Sequence, residues 1–362
     1  MATLHRVDLP GLVGDEPLGF LAAIGLMSQL LENSYLHWDP TDRHAILHCR
    51  SYSSVADLAA LLCRRLDEIK PGQAIPFSAG FPVRRRRGAP DPLRVRPAEY
   101  RRLLDRVHRS SGGASWLQAT VTDRATDTDG FCLVNPLVAV RSKQTIGSFW
   151  YYPMLEVRQD PKRLITEALT GWRRVEGSDG WLLDHHATYS TDPGLRGPGG
   201  SMAVPGATWL ATLAISEFGY RRRNGVDTGP ALPSGWFRID NRDVFLWPLW
   251  TVPAGANTLK AVWNVGWGYD GWEITSAGDG RLEVRISKTH GVSAPNSIDH
   301  NVDLGIFTMC AAARPSGAAL TPVPIRTLHR PTGNLDREYP AWKGWDSKYS
   351  DVGEYPGRYG WG

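Results

Sequence analysis

The amino-acid sequence predicts an α+β protein in two halves, each with a buried helix rich in small residues, the second half rich in antiparallel strands. Three observations predict it. The segment "DEPLGFLAAIGLMSQLLE" (15–32) reads as a helix with almost no polar face. A second run, "ATWLATLAISEF" (207–218), echoes it about half a chain later. Beyond that run, β-branched and aromatic residues alternate at period two between turn signals. A chain of 362 residues is long for one core, so two domains, or one domain of two halves, are expected.

The elements follow in order. "LHRVDLPGL" alternates like a short strand and ends in a Pro-Gly turn. Pro17 suits the first position of the helix that follows, and Asp15 and Glu16 place negative charge at the positive end of its dipole. Leu18, Phe20, Leu21, Ile24, Leu26, Met27, Leu30 and Leu31 surround it with apolar surface, so it is buried on every side or inserted in a membrane. Its apolar run is short of the ~18 to 20 residues that a span requires. Gly19, Ala22, Ala23 and Gly25, spaced close together, let another backbone approach, and a core helix is the reading. "HAILHCR" (44–50) is a strand. "SVADLAALLCRRLDEI" is an amphipathic helix capped by Ser54, with Val55, Leu58, Leu61, Leu62, Leu66 and Ile69 as its stripe. Pro97 leads a basic helix, Ala98 to His108. "TDRATDTDG" is a polar loop, and "FCLVNPLVAVRSKQTIGSFWYYP" resumes with strand-like character.

These signals divide the chain into an N-terminal half (1–191, with an arginine-rich loop at 84–109) and a Gly/Pro-rich linker or loop (192–206). A C-terminal half (207–338) follows, helix first and then a Trp-rich antiparallel sheet, and a Gly, Trp and Tyr-rich tail (339–362) closes the chain. In the sheet, "GWFRIDNRDVFLWPLWTV", "LKAVWNVGWG" and "GWEITSAGDGRLEVRIS" read as strands. In the last, Gly278-Asp279-Gly280 turns, and Leu282, Val284 and Ile286 face away from Arg281, Glu283 and Arg285. Phe20 to Leu26 aligns with Trp209 to Ile215 as aromatic, Leu, Ala, small, branched, small, branched. Either an old duplication or coincidence between two apolar helices accounts for it.

Hydrophobic residues at 42% and charged ones at 22% are ordinary for a soluble globular protein. Fifteen tryptophans and a large excess of arginine over lysine are not ordinary. The net charge of +4 decides little, so the distribution of charge matters more. Cys49, Cys63, Cys132 and Cys310 form no C-x-x-C pair and read as buried thiols in a reducing compartment. The start "MATLHRVDLPGLVGDEP" lacks the order of a signal peptide, which points to the cytoplasm and away from the membrane.

Charge concentrates at one place. Arg84, Arg85, Arg86, Arg87, Arg94, Arg96, Arg101, Arg102, Arg106 and Arg109 are ten arginines in 26 residues, opposed nearby only by Asp91, Glu99 and Asp105. Guanidinium forks match phosphate oxygens, and clustered cations release counterions on binding nucleic acid. A nucleic-acid surface is therefore expected there, with Arg221, Arg222 and Arg223 as a smaller echo and Arg141 and Lys143 joining either. A solvated face or a contact with an acidic protein is the plainer alternative. Tyr151, Tyr152 and the tryptophans offer rings for base stacking, though packing under a sheet suits most of them better.

Catalysis has little support. Asp184, His185 and His186, with Asp299, His300 and Asp303, are of the types that hold a divalent metal in nucleases. Adjacent histidines on an extended chain point opposite ways, so at most one of His185 and His186 would face a given ion. No G-x-S-x-G, Walker A or G-x-G-x-x-G motif occurs. No catalytic set, resident metal or cofactor is expected. A metal-dependent nuclease and a protein-interaction scaffold without nucleic-acid contact remain the alternatives.

With these residues in view, "LPGLVGDEPLGFLAAIGLMSQL" resembles the N-terminus of CRISPR-associated proteins of type I-G systems (formerly I-U), among their large-subunit and accessory proteins. "PGATWLATLAISEF" is similar to a second segment of the same proteins. The resemblance covers about thirty residues in two helices. It implies a cytoplasmic bacterial ribonucleoprotein in antiviral defence, with guide RNA, target DNA and other Cas subunits as partners. In such complexes base pairing reads the sequence while protein subunits hold backbones. No helicase or HD-nuclease motif is present, so the resemblance brings no catalysis with it.

Overall fold

The computed structural model describes residues 4–30, 34–70, 91, 93–110, 113–139, 144–187, 201–220, 232–240, 242–261, 272–276, 281–286, 305–314 and 318–329. The linker residues 192–200, the turn 278–280 and the tail 339–362 lie outside them. The chain is α+β, as expected, and its sheets are small and antiparallel in the pairings given below. The described residues up to Leu328 form one compact unit.

Strand β1 (His5–Val13) leads into helix α1 (Pro17–Leu30), then strands β2 (Tyr35–Trp38) and β3 (His44–Cys49) and helix α2 (Val55–Glu68). β1 pairs with β3 and β3 with β2. The expected Pro-Gly turn is absent: Pro10 and Gly11 lie inside β1, where the register with β3 shifts between Leu9 and Val13. Gly11 is there for a close approach, since a Cβ on it would sit 2.4 Å from the carbonyl oxygen of Ala168. Ser54 caps α2 as expected, its hydroxyl accepting the Asp57 N–H at 3.2 Å, and Leu58, Leu61, Leu62 and Leu66 are buried.

Next come α3 (Pro97–Ser110), α4 (Ala114–Thr120), β4 (Val121–Thr126), β5 (Cys132–Val134), α5 (Ser148–Val157) and α6 (Pro161–Thr170). The "TDRATDTDG" loop is in part strand: β4 pairs with β5, and only Asp127 to Gly130 turns. "SFWYYP" is helix, not strand, because Phe149, Trp150, Pro153, Met154 and Val157 bury a helical face whose partner is distant in sequence. Strands β6 (Val175–Glu176) and β7 (Met202–Ala203) pair ahead of α7 (Pro205–Leu213), every residue of which is buried and which runs into a 3-10 turn, Ala214–Glu217.

The remainder is β8 (Trp236–Ile239), β9 (Arg242–Trp250), β10 (Ala254–Gly255), α8 (Ala256–Ala261), β11 (Trp272–Ser276), β12 (Leu282–Ile286), β13 (Ile306–Ala313), β14 (Thr321–Pro322) and β15 (Ile325–His329). β13 lies between β14 and β9, and β9 also pairs with β8. β11 and β12 form the expected hairpin ladder, with Leu282 and Val284 buried. "LKA", expected as strand, belongs to α8.

The two sequence halves share one core. α1 packs along α7, and their backbones touch: a Cβ on Gly25 would sit 1.8 Å from the Leu210 carbonyl oxygen. α7 meets α6 the same way, Gly206 lying against Leu164. β10 pairs with β2 across the halves. The tryptophans of β9 tie the halves together further. Trp247 donates its indole N–H to the Gly14 carbonyl and Trp250 to that of Leu36, both at 2.7 Å. Phe20 stacks between Trp38 and Trp247 at 5.8 and 5.4 Å. The tryptophans Trp38, Trp150, Trp209, Trp236, Trp247 and Trp250 are thus core, as the sheet-packing reading had it.

One pair in the first sheet gives the fold a pH dependence. His37 and His48 stack at 5.0 Å. Burial lowers both imidazoles, His37 to about 4, helped at His37 by the charge that His48 would carry and at both rings by Arg6. A folded pKa below the unfolded value of ~6.5 means that the unfolded chain takes up protons first. Stability at neutral pH is therefore lost as pH falls from ~6.5 towards about 4. Allowing for partial solvent access, His37 contributes on the order of 2 kcal/mol to that loss. Urea unfolding at pH 7 and pH 5 should show the parent losing more stability than His37→Gln; parallel losses would contradict the assignment.

Candidate nucleic-acid interface and histidine cluster

The arginines Arg84, Arg85, Arg86, Arg87, Arg141, Arg221, Arg222 and Arg223, and Lys143, lie outside the described residues, as do Asp299, His300 and Asp303. The described part of the basic region is α3 and the segment before it. Glu99 accepts the Arg96 N–H at 3.1 Å and closes the first turn. Tyr100, Leu103 and Val107 are buried on one side of α3, against α4 and β4. Arg101, Arg102, Arg106 and Arg109 are exposed.

Acidic partners prove more numerous than sequence proximity suggested. The β4–β5 hairpin brings in Asp123, 3.0 Å from Arg101, and Asp127 and Asp129, 3.3 and 3.4 Å from Arg94. Arg94 and Arg96 both lie over the Phe131 ring, at 4.9 and 5.1 Å. Arg102 bonds the Ala98 carbonyl within its own helix. Two of the acids counted from sequence serve elsewhere: Asp91 accepts the Leu93 and Ile146 N–H groups, and Glu99 caps α3. The Arg94 and Arg101 side chains are 52% and 72% exposed, so their ion pairs contribute only ~0–1 kcal/mol and open readily to a competing phosphate.

A second constellation lies at the start of α1. The Glu16 carbonyl accepts the Phe20 N–H at 2.9 Å, which sets Glu16 at the entry of the helix, and its carboxylate is one-third exposed. His185 and His186 approach that carboxylate together, at 3.5 and 3.7 Å. They do not diverge as an extended pair would, because the chain turns there: the Asp184 carboxylate accepts the His186 N–H at 2.9 Å, and the rings lie 3.8 Å apart. Arg174 grips the buried Asp184 through both nitrogens, at 2.5 and 3.2 Å, and fixes the turn. Trp181 and Leu182, with φ of 50° and 57°, carry left-handed backbone just before it. Burial pushes the Glu16 carboxyl up and, with the charge of His186, pushes His185 down to about 4. Glu16 could not have been joined to the histidines from sequence, since only the fold brings α1 beside this turn.

The thiols offer no activated nucleophile. Burial raises Cys49, Cys63, Cys132 and Cys310 alike, Cys132 to about 11. Among the described residues no helix is long and apolar enough to cross a membrane. The chain matches no protein-family model and no curated protein.

Proposed function

We propose that this chain is a non-catalytic, nucleic-acid-binding subunit of a cytoplasmic CRISPR effector ribonucleoprotein in antiviral defence, resembling type I-G proteins. It contacts guide RNA or target DNA along the backbone and packs against other Cas subunits. One observation carries the reading: α3 is anchored by Tyr100, Leu103 and Val107 and holds out Arg101, Arg102, Arg106 and Arg109 to solvent. The helix gives these guanidinium groups a fixed spacing, and the sequence supplies Arg84 to Arg87 just before it. Such a surface neutralises phosphates without reading bases, which suits a subunit whose guide supplies specificity. The apolar helices α1 and α7 then act as scaffold, and function sits on what they position.

The test is binding followed by inspection of the strands. Labelled single-stranded RNA and duplex DNA, incubated with the full chain and magnesium or manganese, should be retarded in a native gel and recovered intact. Cleavage abolished by His185→Ala would overturn the non-catalytic reading, and absence of retardation on either strand type would overturn the binding reading.

A further inference from the structure

We propose that Glu16, His185 and His186 form a three-ligand site for a borderline divalent cation of the zinc class, with a further position open to solvent. The site is distinct from the arginine surface, and the proposal does not rest on nucleic-acid binding. The ligand atoms of the three residues all lie within 4.8 Å of one another. A tetrahedral ion with ~2.0–2.1 Å bonds holds its ligand atoms ~3.3–3.4 Å apart. The Nε2–carboxylate distances of 3.5 and 3.7 Å are close to that edge and longer than the ~2.9–3.0 Å of a good N–H···O bond. Two imidazoles and one carboxylate are a nitrogen-rich set that suits zinc or cobalt better than magnesium, calcium or manganese.

The surroundings are arranged as a ligand site requires. His185, 15% exposed, sits below His186, 55% exposed, so an ion entering from solvent meets His186 and the one-third-exposed Glu16 first. Neighbouring charges are already neutralised: Asp184 by Arg174, and Asp15 by Arg43 at 2.6 Å. The Glu16 carboxylate is left as the local negative charge facing both rings. The Asp184–Arg174 pair lies behind the histidines and sets the turn that aims both rings one way, the part that outer groups play around metal-bound histidines. A bound ion would link the entry of α1 to the turn that follows Leu182.

The probe is Co²⁺, added to the full chain after chelator treatment, followed by visible absorption and by isothermal titration. Absorption of tetrahedral or five-coordinate cobalt should saturate at one ion per chain, and Zn²⁺ should displace it. His186→Ala and Glu16→Gln should each weaken Co²⁺ by at least ~100-fold, more than an outer-shell change would. His186 is exposed and Gln preserves the volume of Glu16, so both variants should keep the thermal transition of the parent without metal. Absence of saturable Co²⁺ binding by the parent overturns the proposal. So does binding that either folded variant leaves unchanged.

Discussion

Gly25→Val will prevent the native core from forming. The valine Cβ would sit 1.8 Å from the Leu210 carbonyl oxygen and 2.8 Å from its carbonyl carbon, and both belong to the backbone of α7. No flexible side chain can yield there, so α1 and α7 must separate. α7 has nowhere to retreat, because Gly206 holds it against α6, where an added Cβ would sit 2.3 Å from the Leu164 carbonyl oxygen. Separation exposes Leu21, Leu26 and Leu210 and opens the stack of Phe20 on Trp38 and Trp247. A cost above ~4 kcal/mol is expected, a large part of the ~5–15 kcal/mol by which domains are stable. Gly171→Ala is the matched control: nothing lies within 4 Å of its added Cβ, and its backbone is extended. It should stay within about 0.5 kcal/mol of the parent. Thermal melting followed by circular dichroism checks both, and a Gly25→Val melt resembling the control would refute the close-packed helix pair.

The second large effect is on binding. Replacing Arg101, Arg102, Arg106 and Arg109 together by Ala should raise Kd for single-stranded RNA and for duplex DNA by roughly 100-fold at physiological salt. Alanine is the best helix former, and Tyr100, Leu103 and Val107 still anchor the helix, so the fold should persist. The loss should be alike for unrelated sequences, because phosphate contacts carry no base information. Removing Arg84 to Arg87 should add to it. Weakening confined to one sequence would instead mean that these side chains read base edges.

What could be read from the sequence was whatever local pattern determines. α1 and α7 were legible because their residues leave almost no polar face, and Gly25, a poor helix former, has no use inside a helix except to admit a neighbour. Ser54 marked the start of α2, and Pro97 that of α3. Elsewhere a distant partner overruled the local signal. Pro10-Gly11 reads as a turn, yet the strand continues because α6 presses its Ala168 carbonyl against Gly11. Aromatic "SFWYY" has strand composition, but Trp150 donates its indole N–H to the Thr212 carbonyl, and helix α5 is what fits beside α7. The acids that answer the arginines are hidden for the same reason: Asp123, Asp127 and Asp129 arrive on a hairpin whose polar residues have the composition of a loop. The histidine cluster shows both sides. His185 and His186 stood out as residue types, while the turn that aligns them depends on Arg174 and Asp184, and their carboxylate comes from the other side of the fold.

The most direct measurement of the central claim is the salt dependence of binding. Fluorescence anisotropy with a labelled single-stranded RNA and a labelled duplex DNA would give the affinity of the full chain at several salt concentrations. A phosphate-holding surface predicts a straight line of log affinity against log salt, with a slope of about −0.7 per contact on a single strand and −0.9 on a duplex. For the arginine face of α3 the total should be about −3 or steeper, and the four-alanine variant should lose about one unit per contact removed. An affinity that is flat in salt, or a slope that the variant shares with the parent, would contradict it.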